Sequence, residues 1–237
     1  MTRLIIWRHG QTIWNRQNRI QGQTDVPLDE TGQQQASAAA ELLATEAVDL
    51  LVSSDLGRAR ETAHALSALN GLPVEIDNRL RERQYGEWEG LTHEEISARW
   101  PTEFARWKTG QPIPECGLED PDDVAKRVGD ALLDLVEQAG DGTLVVVSHG
   151  GSARQGMGAV LGWPYHVVRA IGPLANCHWT ELRGATPYWR LHAHNVGPRP
   201  VAHLPGARRQ STAGTSEPAP AGAMVGTGER STASEKS

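Results

Sequence analysis

Leu4-Ile5-Ile6-Trp7-Arg8-His9-Gly10-Gln11-Thr12 decides the fold of this chain. An apolar run stops abruptly at an arginine, a histidine and a glycine. Apolar residues bounded by a turn signal read as a buried strand. In an open α/β sheet, ligands bind just beyond the carboxyl ends of the strands. This strand therefore delivers Arg8 and His9 to the rim where chemistry takes place. The pattern returns at Thr143-Leu144-Val145-Val146-Val147-Ser148-His149-Gly150-Gly151. If both strands lie in one sheet, His9 and His149 converge on one pocket.

The rest of the chain alternates around these two runs. Asp29 or Thr31 is placed to cap a helix over 32–47. Leu50-Leu51-Val52 reads as a second strand, Asp55 as the N-cap of a helix over 56–70, and Val74-Glu75-Ile76 as a third strand. Arg79 to Gly90 is dense in charge and reads as a loop returning to the site. Thr92 and Glu95 form a capping box for a helix ending near Trp100. Pro101 to Pro121 reads as irregular, and with that helix makes a lid over about 92–121. Val124, Val128, Ala131, Leu132 and Leu135 recur at helical spacing, which predicts a helix over 121–139 with Pro121 in its first turn. A further helix follows His149 to about Leu161. Cys177 to Leu182 and Tyr188 to His192 read as two late strands around a turn at Arg183-Gly184-Ala185.

Strand-helix alternation predicts one α/β domain over 1–197. It is a three-layer α/β/α arrangement, with helices on both faces of a largely parallel central sheet. From 198 to 237 the composition shifts to Pro, Ala, Gly, Ser and Thr with almost no large apolar residue. That stretch reads as a disordered, low-complexity tail, because it buries too little to offset its ordering entropy.

The 237 residues carry a formal net charge of −6 and a pI near 5.8. This argues against nucleic acid or a membrane surface as partner. The two cysteines, Cys116 and Cys177, are too few for a disulfide framework. No apolar run approaches membrane-spanning length, and the first residues lack a signal-peptide pattern. The expectation is a cytoplasmic protein. His192-Ala193-His194 offers two metal ligands without a third.

A cationic pocket in an acidic protein has to be local. Arg8 sits beside His9, and Ser53-Ser54-Asp55-Leu56-Gly57-Arg58 brings a second arginine from the end of the second strand. Arginine suits multidentate binding of phosphate oxygens. Two arginines, a histidine donor and the first amides of the helix after His149 make a dianion site. Within it, one imidazole can attack phosphorus. The attacking imidazole must be neutral, and neighbouring arginines push its pKa down. Expelling an alkoxide needs a proton, for which Glu82 in the charged loop is the best candidate. The same carboxylate then activates water.

Several motifs occur together and in order: Arg8-His9-Gly10-Gln11-Thr12, Asn15, Gln21-Gly22-Gln23-Thr24-Asp25, Leu28 to Gly32, Ser53-Ser54-Asp55-Leu56 with Arg58-Ala59 and Thr62-Ala63, Arg81-Glu82 with Gly86, Trp88, Glu89 and Gly90, and His149-Gly150-Gly151. Through them the sequence over 4–196 resembles the histidine phosphatase superfamily, in its phosphoglycerate-mutase-like branch. Within that branch it looks closest to actinobacterial glucosyl-3-phosphoglycerate phosphatases. The Gln-Gly-Gln segment and the stretch Asn176 to Leu182 carry that likeness. The resemblance implies the phosphoglycerate-mutase-like fold, His9 as the phosphorylated nucleophile and Glu82 as proton donor and acceptor. It implies that Arg8, Arg58 and His149 hold the phosphate, with contacts added by Asn15, Gln21 and the amide of Gly150. It further implies no metal or other cofactor, a small phosphorylated metabolite as substrate, and a homodimer. Two positions depart from the pattern. Gly117-Leu118-Glu119-Asp120 stands where many relatives have Gly-Glu-Ser, and Trp7 is bulkier than the usual aliphatic residue.

Blander readings apply elsewhere. His178, His192 and His194 read as structural, Gly156-Met157-Gly158 as helix packing, and Arg79 and Arg83 as solvated or salt-bridged loop residues. Gln21 reads equally well as a turn residue. The tryptophans are core or lid packing, with Trp88 and Trp107 as candidates to line the site. Between Arg99 and Asp123 the cations Arg99, Arg106 and Lys108 face six acids. A mutase needs extra cations and a closed lid, so this count favours a phosphatase acting on a small phosphomonoester. The alternatives are a phosphoglycerate mutase, a broad-specificity or alpha-ribazole (cobalamin-pathway) phosphatase, a metal-dependent hydrolase, and a catalytically silent module that binds a phosphorylated ligand.

Overall fold

The first apolar run forms β1 (Thr2–Arg8), and the second His-Gly run forms β4 (Thr143–Ser148). They pair in parallel, from Arg3 opposite Thr143 to Arg8 opposite Ser148. On the other side of β4 lie β2 (Leu50–Ser53) and then β3 (Glu75–Ile76), both parallel. On the other side of β1, β5 (Trp179–Ala185) runs antiparallel and is followed by antiparallel β6 (Tyr188–Val196). The order is β3-β2-β4-β1-β5-β6. This computed structural model describes residues 1–198, so the tail read from the sequence lies, apart from Pro198, outside the described residues.

The central strands are apolar on both faces because both faces are covered. Ile5, Trp7, Leu51, Val145 and Val147 pack under α2 (Glu30–Leu43) and α3 (Gly57–Asn70), through the small residues Ala36, Ala39, Ala40, Ala59 and Ala63. Leu4, Ile6, Leu144 and Val146 pack under α6 (Pro121–Ala139) and α7 (Gly150–Leu161), through Val124, Val128, Leu132 and Met157. After β1 the chain passes through the short α1 (Ile13–Arg16) to the α2 face, and after β4 it goes to the α7 face. Adjacent parallel strands that send their connections to opposite faces leave a crevice at their carboxyl ends. The expected three-layer architecture is present, and the crevice lies between the two His-Gly corners.

Several local expectations need correction. Asp29 caps α2, accepting the Gly32 N–H at 2.8 Å. The cap of α3 is not Asp55: Asp25 reaches across to accept the Gly57 N–H at 2.9 Å, while Asp55 pairs with Arg81. The stretch after α4 (His93–Arg99) is not irregular throughout, because α5 (Pro101–Lys108) begins on its proline. At the first helical position the missing N–H costs nothing. Phe104 and Trp107 of α5 pack with Trp88, Ile96 and Ile113 in a small third core. Trp88 is fully buried there and does not line the site. The helix α8 (Tyr165–Ala170), unforeseen from the sequence, starts after Pro164. The late turn falls at Thr186-Pro187, and Arg183 to Ala185 belong to β5. Among the described residues, no helix is long and apolar enough to cross a membrane.

Candidate active site

Because Arg8 sits opposite Ser148, the residues that follow leave the sheet side by side. His9 and His149 are both buried, and their ring centroids are 5.2 Å apart. His9 Nδ1 lies 2.7 Å from the carbonyl of Gly10, to which it donates as N–H. That fixes the tautomer and leaves the lone pair on Nε2. Gly10 has no room for a side chain, since a Cβ there would lie 2.5 Å from the carbonyl oxygen of Gly32. Burial, with Arg58 and then Arg8 adding repulsion, holds the His9 imidazole well below its usual value of 6.5. His149 is shifted the same way, first by burial. His149 Nε2 lies 2.9 Å from the Ser54 hydroxyl, which leaves Nδ1 as its other ring nitrogen. That Nδ1 is buried with no partner.

The arginines are anchored by carbonyls. Arg58 is fully buried and donates to the carbonyls of Thr24 and Gly22 at 2.8 and 2.7 Å. Glu89 holds that loop from below by accepting the N–H groups of Gln23 and Thr24, at 3.0 Å each. Arg8 donates to the carbonyl of Leu174 at 2.6 Å. In both arginines Nε is buried and unpartnered. A buried donor without an acceptor costs about 1–3 kcal/mol, so a cluster of them at one place calls for a ligand.

Glu82 arrives from the charged loop and sits at the start of α7. Its carboxylate accepts the N–H groups of Arg83, Gly151 and Ser152 at 2.8–2.9 Å, and the Ser152 hydroxyl at 3.1 Å. A Cβ on Gly151 would lie 2.6 Å from Glu82 Oε1, so this approach requires a glycine. Arg127 of α6 clamps the loop by donating to the carbonyls of Arg79, Arg81 and Glu82. It also pairs with Glu119, the acid of the departing Gly-Leu-Glu-Asp stretch.

A cavity of about 310 Å³ opens above these groups. Of the residues expected at the site, Arg8, His9, Asn15, Gln21, Arg58, Glu82 and Gly150 line it. His149 is not on its wall; it is fully buried, with its ring centroid 5.2 Å from that of His9. Gln21 Oε1 accepts the Thr12 hydroxyl at 3.0 Å, so Gln21 belongs to the cavity wall as well as to the turn. The cavity is extended by Arg19, Ile20, Tyr85, His93, Trp107 and Arg154. A second cavity of about 260 Å³ adjoins it, sharing Tyr85, Trp107, Gly151 and Arg154, and adds Arg83, Lys108 and Arg169. Among the described residues lining this second cavity there is no Asp or Glu.

Two expectations fail here. Arg83 is not a solvated loop residue: it is 7% exposed, donates to the carbonyl of Glu119, and keeps a buried, unpartnered Nη2. Arg79 does form surface ion pairs, with Asp77 and Asp134. The charge count over the lid also misdescribes the cavity. Glu115 and Glu119 are paired with Arg106 and Arg127, and Asp120 caps α6. The cations on the cavity wall come mostly from other elements. Sequence reasoning missed Arg154, whose signal was its place one helical turn after Gly150. It also missed Ser54, Ser152 and Arg127, which carry no local signal. His194 spends both ring nitrogens on the Thr180 hydroxyl and the Gly172 carbonyl.

Known proteins match this chain over the same elements. The Histidine phosphatase superfamily (branch 1) matches residues 4–197. A glucosyl-3-phosphoglycerate phosphatase of Mycolicibacterium vanbaalenii is 41% identical over 191 residues, covering 78% of this chain and 85% of that protein. A probable phosphoglycerate mutase of Yersinia pestis is 35% identical over 187 residues, 77% of this chain and 85% of that one. The solved structure of a mycobacterial glucosyl-3-phosphoglycerate phosphatase complexed with VO3 is 40% identical at a TM-score of 0.77, over 82% of this chain and 99% of that one. With its two His-Gly strand ends, its buried arginines and these matches, the chain belongs to the histidine phosphatase superfamily.

Proposed function

We propose that this protein is a metal-independent phosphatase that hydrolyses glucosyl-3-phosphoglycerate, or a closely related sugar or glycerate phosphate, through a phosphohistidine on His9. One observation carries the reading. Arg8 Nε and Arg58 Nε are buried donors with no acceptor, and His149 Nδ1 is buried without a partner, all beside a neutral His9. A phosphoryl group supplies the missing acceptors, and charge-assisted bonds of this kind are the strong ones.

The geometry supports a two-step reaction. His9 Nε2 attacks phosphorus and forms the N–P bond, while the bond from phosphorus to the leaving oxygen breaks. Glu82 gives that oxygen a proton. Water then attacks the phosphohistidine, its proton passes to Glu82, and the N–P bond breaks. Arg8, Arg58, His149 and the Gly150 amide stabilise the charge that grows on the phosphoryl oxygens, with Asn15 and Gln21 adding donors. The proton on His9 Nδ1 stays with the Gly10 carbonyl throughout.

The substrate class rests on two supports. The similar mycobacterial proteins carry that activity in their names. The second cavity, with Arg83, Lys108, Arg154 and Arg169, suits a leaving group that carries an anion of its own, such as a carboxylate. A panel of phosphorylated metabolites tests this. The highest kcat/KM is expected for a sugar-phosphoglycerate. Equal turnover of neutral alkyl phosphates contradicts the substrate class, and net phosphate transfer between phosphoglycerates without release contradicts the phosphatase. A cytoplasmic, homodimeric enzyme completes the proposal, and equilibrium sedimentation tests the dimer.

A further inference from the structure

Asn15 and Asn176 form a polar relay beside the nucleophile, and backbone groups set its direction at both ends. At one end stands the carbonyl of His9, which can only accept, so the Asn176 atom 3.1 Å away is the amide nitrogen Nδ2. The same Nδ2 donates its second proton to Asn15 Oδ1, also at 3.1 Å. At the other end the Thr12 backbone N–H, which can only donate, reaches Asn15 Oδ1 at 3.1 Å. Two donors fill both lone pairs of that oxygen. Asn15 Nδ2 is therefore turned the other way, on the wall of the cavity that holds Arg8, His9 and Arg58. Amide orientations are often open to a flip. Here neither amide can flip without setting like groups against each other.

The segment that carries Asn176 is built around the Arg8-His9 corner. The Leu174 carbonyl accepts from the Arg8 side chain, and the His178 carbonyl accepts the Arg8 N–H at 3.0 Å. The Cys177 N–H donates to the carbonyls of Arg8 and His9 at 3.1 and 3.3 Å. Cys177 does so at φ 56°, in the left-handed region that a residue with a side chain enters at a cost. That bend brings the Asn176 side chain and the Cys177 amide onto one carbonyl.

We propose that Asn176 is a positioning residue for phosphoryl transfer: it locks the Asn15 amide with its N–H side toward the phosphate. Asn176 needs no contact with the phosphate to do this. The proposal rests on the phosphatase reading above.

Orthovanadate inhibition of nitrophenyl phosphate hydrolysis, with thermal unfolding measured alongside, tests it on the full chain. Asn176→Ala is expected to weaken vanadate inhibition about tenfold, the worth of one hydrogen bond to a charged group. Asn176→Asp, which has no N–H to give and turns the Asn15 oxygen toward the phosphate, is expected to weaken it about a hundredfold. Asn176→Ser carries the same expectation as Asn176→Ala in case the alanine variant does not fold. In the Asn15→Ala background, Asn176→Ala should cost no more than about twofold, because both changes remove one interaction. Unchanged inhibition in the single variants overturns the proposal, as does an equal loss with and without Asn15. An unmodified protein that neither hydrolyses the ester nor binds vanadate overturns the phosphatase reading, and this proposal falls with it.

Discussion

The two halves of the site proposed above, one for the phosphate and one for the leaving group, are built on different principles. The phosphate half hangs from the ends of adjacent parallel strands. His9, Arg58 and His149 are buried, sheet register sets the two histidines side by side, and backbone carbonyls hold its arginines. The leaving-group half is assembled from the 83–85 loop, α5, α7 and α8. Its outer cations, Lys108 and Arg169, are exposed, and Arg169 leans on the Lys108 carbonyl. A preorganised half stabilises charge that changes during the reaction, whereas a looser half sorts substrates. Changes in the first should remove chemistry from every substrate. Changes in the second should alter the ranking of substrates.

The sharpest break comes from His9→Ala, expected to lower kcat about 10⁵-fold for all esters, because it removes the group that forms the bond to phosphorus. Comparable turnover in that variant would mean that both halves serve a direct attack by water. Glu82→Gln separates acid catalysis from binding. Turnover of alkyl phosphates should fall about a thousandfold, and that of nitrophenyl phosphate less than about tenfold, since nitrophenolate leaves without a proton. Equal losses would remove Glu82 from the acid role.

Arg154→Ala probes the border between the halves. A loss of about tenfold in kcat/KM is expected for a phosphoglycerate-type ester, against about threefold or less for nitrophenyl phosphate. The same factor for both would assign Arg154 to the phosphate half. The smallest effect is thermodynamic. His9 and His149 stay neutral when folded, yet both bind protons in the unfolded chain below pH 6.5. The unfolded state then holds more protons, so stability drops as pH is lowered through 6.5. Each histidine contributes up to about 1.4 kcal/mol per pH unit. A urea midpoint that stays flat from about pH 7 to 5.5 would contradict the burial of the two rings.

The same division governs what the sequence could disclose. Arg8, His9 and His149 were legible because each ends an apolar run at a glycine, a local signal that sheet register turns into proximity. Glu82 and Arg58 were legible from motif context. Asn176 acts on Asn15 across 161 positions and on His9 across 167. No local pattern reports such contacts. Arg127 and Arg154 sit on helices whose apolar faces absorb the pattern. α5 and α8 were missed because a proline reads equally as a breaker and as a first helical residue. Arg83 was misread because charge density looks like solvation until tertiary structure buries it. Counting lid charges failed for a related reason: Glu115 and Glu119 are spent on Arg106 and Arg127 and do not line the cavity.

The central claim is that His9 becomes phosphorylated. Rapid acid-free quenching of a reaction with ³²P-labelled ester, followed by peptide mapping, tests it most directly. The label is expected on the peptide carrying His9, stable to alkali, lost in acid, and absent from His9→Ala. A label on another residue, or steady turnover by His9→Ala without any label, would contradict it.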